Sequence, residues 1–156
     1  MKKGVVFCVV LLVGLLAGLP AWATTYTWVG NSNNNWSTSQ NWSGGPGAPP
    51  GDTDSLIFSG TANTSTTNDL TAGTDIAGIA FANTADGESF TLSGNAIDLT
   101  GSISTADNDS NNSVGQSDTI ALDIQLTGGD RAFDVGGLDG NDRHDLLITG
   151  VISEDG

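Results

Sequence analysis

The sequence predicts an all-β protein, a parallel β-helix or β-solenoid with a tryptophan-rich N-terminal cap. Three observations point there. Apolar residues alternate with period two in many short windows, no window carries an i, i+3, i+4, i+7 stripe, and an apolar-hydroxyl-glycine tripeptide recurs down the chain. Alternation alone would suit a β-sandwich equally well, and that is the alternative fold. The repeated tripeptide favours stacked, similar strands.

Residues 1–23 come first because they leave the fold. Met1-Lys2-Lys3 is a short basic start, Gly4 to Leu19 is an uncharged apolar run of 16 residues, and Ala21-Trp22-Ala23 is an A-x-A cleavage pattern. This is a secretory signal peptide, with cleavage expected after Ala23. The run is shorter than the roughly 20 residues a membrane-spanning helix needs. The mature N-terminus is therefore expected at Thr24.

Residues 24–60 form the cap and first strand. The stretch from Trp28 to Gly45 sets Trp28, Trp36 and Trp42 among Asn, Ser and Gly, 8 and 6 residues apart. The end of a solenoid exposes an apolar cross-section that must be covered. Three indoles separated by polar turns can fold over it, each burying roughly 200 Å² while its N–H finds a backbone acceptor. The rival expectation is a platform on which the same three rings stack sugars. Leu56-Ile57-Phe58 then begins the strands.

Residues 61–156 supply the coils, expected to be a truncated part of a longer stack. Inward positions are expected at Ile79, Phe81, Phe90, Leu92, Ile97, Leu99, Ile120, Leu122, Ile124, Leu126 and Ile148, with Thr119–Leu126 as the clearest alternating strand and Phe133/Val135 as another. Phe58-Ser59-Gly60, Leu92-Ser93-Gly94, Leu99-Thr100-Gly101, Leu126-Thr127-Gly128 and Ile148-Thr149-Gly150 all read apolar, hydroxyl, glycine. The expected sense is a last inward side chain, an outward hydroxyl, and a glycine that turns the chain with positive φ. Ile97–Ser104 also aligns with Leu146–Ser153, which suggests one repeat seen twice.

Composition excludes whole classes of function. Cleavage removes Cys8, so the mature chain has no thiol, disulfide or Cys-ligated metal. It also removes Lys2 and Lys3, taking the formal net charge from −14 to −16 and leaving Arg131 and Arg143 as the only Lys or Arg cations. Such a surface repels phosphate backbones and anionic lipids, so neither nucleic acid nor a membrane surface is an expected partner.

Few residues suggest chemistry. Asp107, Asp109, Asn111 and Asp118 occupy positions 1, 3, 5 and 12 of a calcium-loop pattern, so calcium is the one ion considered and no other cofactor is implied. Asn112 stands where that loop needs its turn glycine, and the plain reading is a turn between strands. Gly136 to Asp142 resembles a calcium-binding nonapeptide but is out of register and occurs once. His144 is the only histidine, in a polar stretch from Asn141 to Asp145 that reads as a turn. No G-x-S-x-G elbow is present. Carboxylate pairs at Asp52/Asp54, Asp107/Asp109 and Asp142/Asp145 match the spacing a glycosidase needs only as any aspartate-rich chain would. A polysaccharide-degrading β-helix enzyme would require Asp139, Asp142, His144, Arg131 or Arg143 to converge. No residue is assigned as catalytic.

Trp28-Val29-Gly30, Asn35-Trp36-Ser37, Asn41-Trp42, the Pro/Gly stretch to Pro50, Gly51-Asp52 and Leu56-Ile57-Phe58 follow one another in a telling order. With Asn68-Asp69-Leu70, Ile79-Ala80-Phe81, Leu99-Thr100-Gly101-Ser102-Ile103 and Leu147 to Ile152, this order resembles the N-terminal region of bacterial proteins with autotransporter-associated β-strand repeats, many of which carry a PEP-CTERM-type sorting tail. The Gly-Thr-Leu-x-Leu-x-Gly repeat that names that group is absent here. The resemblance implies a right-handed parallel β-helix, exported to the surface of a Gram-negative-like bacterium or released from it, with no catalytic residues to carry over. The expected function is structural or adhesive, with downstream coils of a longer chain as its partner and surface polysaccharide as a further one. A carbohydrate-binding module is the alternative, and an enzyme the remaining one.

Overall fold

The computed structural model describes residues 23–83, 89–107, 116–135 and 144–154. Their strands are β1 (Thr25–Trp28), β2 (Trp42–Ser43), β3 (Asp54–Phe58), β4 (Ser65–Asn68), β5 (Thr74–Asn83) and β6 (Thr91–Gly94). These are followed by β7 (Ile97–Asp107), β8 (Gln116–Ile120), β9 (Ile124–Leu126), β10 (Phe133–Val135), β11 (His144–Ile148) and β12 (Ile152–Glu154). A short 3-10 turn, Ser39–Asn41, precedes β2.

The strands form two sheets. One is eight-stranded, in the order β12-β9-β7-β5-β3-β1-β2 with β10 also paired to β7, and the other runs β11-β8-β6-β4. Every pairing between coils is parallel, and only β1 with β2 is antiparallel. This is a β-solenoid of about four turns. Parallel neighbours need long crossovers, and here the crossover is the rest of the coil. Partners lie about 23 to 30 residues apart, from Phe58↔Phe81 to Trp28↔Phe58.

Period two converts directly into a core. Tyr26, Leu56, Ile79 and Ile103 lie in register, as do Trp28, Phe58 and Phe81, and all are buried. Leu92 over Ile120 and Ile76 beside Leu99 continue the interior, with Leu126 and Ile148 packed against its margin. Phe58 stacks on Phe81 with centroids 5.8 Å apart. Each fully buried side chain of this kind stabilises by about 1.5–3 kcal/mol. All eleven positions expected to face inward do so, nine fully and Leu126 and Ile148 partly. The parallel stack excludes the β-sandwich alternative.

Four details differ from the sequence reading. Thr119–Leu126 is not one strand: β8 and β9 belong to different sheets, with a corner at Ala121-Leu122-Asp123 between them. A corner that keeps its side chains aimed at one interior preserves the alternation, so Leu122 stays buried across the bend. Ile97–Ser104 and Leu146–Ser153 are not equivalent, since the first lies wholly in β7 and the second runs from β11 round a corner into β12. Phe133 and Val135 alternate but are both exposed. The stack also begins earlier than Leu56, because β1 already pairs with β3.

The glycine of the tripeptide has two uses rather than one. Gly60, Gly94 and Gly128 take positive φ as expected, whereas Gly101 and Gly150 do not. At those two positions the backbone of the neighbouring coil comes too close for a side chain. A Cβ on Gly101 would collide with the Ala77 carbonyl oxygen, and one on Gly150 with that of Leu122. Gly101 lies where β5 and β7 shift register between Ile76 and Gly78. That bend lets one long strand serve two partners: Ile97–Leu99 pairs with β9, and Ile103–Thr105 with β10.

Candidate functional site

The tryptophan-rich segment folds over the first coil. Trp28 comes from β1 and Trp42 from β2, held opposite each other by the antiparallel ladder Trp28↔Trp42 and Thr27↔Ser43. Trp36 comes from the intervening loop, which docks on β4 through a parallel bridge, Asn35↔Thr67. In that bridge Trp36 N–H donates to the Thr67 carbonyl at 3.0 Å and Thr67 N–H to that of Asn34 at 2.7 Å. The polar loop is thus the opening turn of the second wall.

The three indoles pack edge to face. Trp42 stands at 83° to Trp28 with centroids 5.0 Å apart, and at 86° to Trp36 at 6.1 Å. Phe58 contacts all three from below at 5.5 to 6.2 Å. Such geometry matches positive ring edges to negative faces. Each indole N–H is satisfied: Trp36 donates to Thr66 Oγ1 at 3.0 Å, Trp42 to the Trp36 carbonyl at 2.8 Å, and Trp28 to that of Ala62 at 3.2 Å. Trp36 is wholly buried, Trp28 is 1% exposed and Trp42 7%. A sugar platform needs a ring face in water, so Trp28, Trp36 and Trp42 do not form one. They close the core.

Asn41, which sequence reasoning passed over, holds that loop. It is fully buried, and its Oδ1 accepts from Ser32 and Asn33 N–H while its Nδ2 donates to Asn33 Oδ1 and the Asn35 carbonyl. Four bonds satisfy a buried amide that would otherwise be costly. Asn next to Trp was visible in the sequence, but an amide folded into its own loop has no periodic signature.

The remaining candidates lie only partly among the described residues. Asp118 is buried and its Oδ1 accepts Phe90 N–H at 2.7 Å, tying two coils together. Asp107 ends β7, while its side chain and the calcium-loop partners Asp109 and Asn111 lie outside the described residues. Asp139, Asp142 and Arg143 lie outside them as well. His144 and Asp145 begin β11, paired with Gln116 and Ser117, rather than forming a turn before the strand. Arg131 donates from Nε to the Leu99 carbonyl at 3.1 Å, a structural use.

No family model, no curated protein and no solved structure matches the chain. Its reading therefore rests on its own residues. Among the described residues, no three His, Cys, Asp or Glu side chains gather as a metal site, and no helix is long and apolar enough to cross a membrane.

One use of carboxylates stands out instead. Asp69 accepts the Ser37 N–H and hydroxyl at 2.7 and 2.6 Å. Asp123 takes Val151 N–H at 2.8 Å, and Asp52 takes Asp75 N–H at 3.2 Å. With Asp118, these side chains fasten backbone N–H groups of neighbouring coils. Ionised acceptors make the stronger kind of hydrogen bond.

Proposed function

We propose that the protein is exported through a cleaved leader and serves as a structural or adhesive solenoid at the bacterial surface, of the autotransporter-passenger-like kind its sequence resembles. The observation that carries this reading is the contrast between two faces of the stack. At β1 the core is closed by Trp28, Trp36 and Trp42. At β10, β11 and β12 the apolar side chains Phe133, Val135, Leu147, Val151 and Ile152 are exposed, Val151 at 65%. Outward apolar residues beside open strand edges are a surface for adding further parallel coils, and further coils are its proposed partner. The outer wall supports the same reading: Thr27, Ile57, Ala80, Ser104 and Asp134 lie side by side across five strands, a continuous ladder suited to contact over an area.

The test is to express the full chain with its leader in a Gram-negative host and label the cell surface. Surface-labelled protein, with cells that hold to each other or to a support more firmly than cells without it, is the expected outcome. Retention in the cytoplasm, or display with no change in adhesion, contradicts the proposal.

A further inference from the structure

Asp54 opens β3 and is buried, 8% exposed as a residue. Its Oδ1 accepts Thr24 N–H at 2.8 Å and its Oδ2 accepts Gly51 N–H at 2.8 Å. Thr24 is itself half-buried, and its carbonyl accepts Ser55 N–H at 2.9 Å, so the residue is held at both its nitrogen and its carbonyl. Thr53, the residue before Asp54, is held at φ 69°, left-handed backbone that a β-branched residue rarely adopts. Strain of that kind persists only where the surroundings impose it. Here Thr53 N–H donates to the Asp75 carbonyl at 2.8 Å, and the distorted turn aims the next side chain at Thr24.

Thr24 is also the residue that follows the Ala21-Trp22-Ala23 pattern. Hydrolysis adds water across the Ala23–Thr24 peptide bond: Ala23 leaves as a carboxylate, and the freed Thr24 amine takes a proton at neutral pH. We infer that Asp54 is the receptor for the mature N-terminus, receiving the new Thr24 α-ammonium on Oδ1 as an ion pair. The inference rests on the export reading proposed above. Before cleavage the Asp54 carboxylate receives the neutral Thr24 and Gly51 amides. After cleavage the same contact carries a compensating full charge, and charge-assisted bonds of this kind are roughly twice as strong as neutral ones. Processing therefore tightens the first coil, and the leader-bearing form is the looser one.

Four proteins test this side by side in thermal melts at neutral pH: the chain beginning at Thr24 with a free amine, the same chain acetylated at Thr24, and both again with Asp54→Asn. The free amine is expected to melt about 3–6 °C above the acetylated form, with the difference gone in Asp54→Asn. Equal melting of the free and acetylated forms, or a difference that survives Asp54→Asn, overturns the inference. A chain beginning at Ala23 moves the ammonium off Asp54 without altering the carboxylate. It is expected to melt like the acetylated form, and melting like the Thr24 form overturns the inference even if Asp54→Asn does not fold. Intact mass of the exported product tests the export reading separately: a start elsewhere than Thr24 counts against that reading and leaves the melting comparison to judge the pair.

Discussion

Trp36 is the residue on which the closed end turns. Its ring is wholly buried and its N–H reaches Thr66 Oγ1 on the next coil. Trp36→Ala is expected to destabilise by about 3–5 kcal/mol, read as a drop in the denaturant midpoint. With Trp28, Trp36 and Trp42 all inside, emission of protein starting at Thr24 should be blue-shifted and unmoved by aqueous quenchers or oligosaccharides. Strong quenching would show the rings to be in water. Tyr26 gives a second check, as the only tyrosine. Burial first, and the Asp54 charge second, hold its phenol above the usual value near 10. The folded state thus keeps this proton longer than the unfolded chain does. That contribution is fully present below pH 10 and is lost as pH rises toward the folded value. Phenolate absorbance should lag a free tyrosine and appear with unfolding; a free-tyrosine titration in intact protein contradicts this. The cap was legible because large apolar rings have few alternatives to burial. Asn41, Asp54 and Thr53 were not, because their roles depend on where a loop returns.

Among the elements, β7 shows most plainly what a pattern conveys and what it hides. Ile97 and Leu99 were readable as inward because period two survives any smooth strand, while the equally buried Ile103, beyond Gly101, was not singled out. The bend after Leu99 was not readable, since Gly101 looks the same whether it turns the chain or admits a neighbour's carbonyl. Gly101→Ala is expected to cost about 1–3 kcal/mol by forcing Ala77 and β5 aside, while Gly60→Ala meets open space and tests only its positive φ. For the same reason the β8–β9 corner was hidden: Ile120, Leu122 and Ile124 point inward on both sides of it. The edge strand β12 makes its own prediction. Protein from Thr24 onward should self-associate with rising concentration, and a double change, Val151→Lys with Ile152→Lys, should return it to monomer without lowering its melting temperature. Association that ignores those lysines would place the sticky surface elsewhere.

Across the whole molecule, the acidic composition acquires a structural use. A chain with almost no cations fastens its coils to one another through Asp52, Asp54, Asp69, Asp118 and Asp123, each receiving a backbone N–H from elsewhere in the stack. Asp69→Ala is expected to loosen the Trp36 loop by about 1–3 kcal/mol, because Ser37 loses both its acceptors. The solenoid class was legible from alternation and repetition, while its winding was not: of two sequence-similar segments one stays in a single wall and the other turns from one wall into the next, so similarity of Gly and Thr does not define a coil. What defines a coil is register, and register can be measured. Thr27, Ile57, Ala80, Ser104 and Asp134 are parallel neighbours in succession, and the chain has no cysteine from Thr24 onward. Spin labels on cysteines at Thr27 paired with Ala80, Ser104 or Asp134 should give distances that lengthen by about 5 Å at each step, one strand spacing at a time. Distances that fail to lengthen in that order, as antiparallel hairpins in two facing sheets would give, contradict the parallel stack.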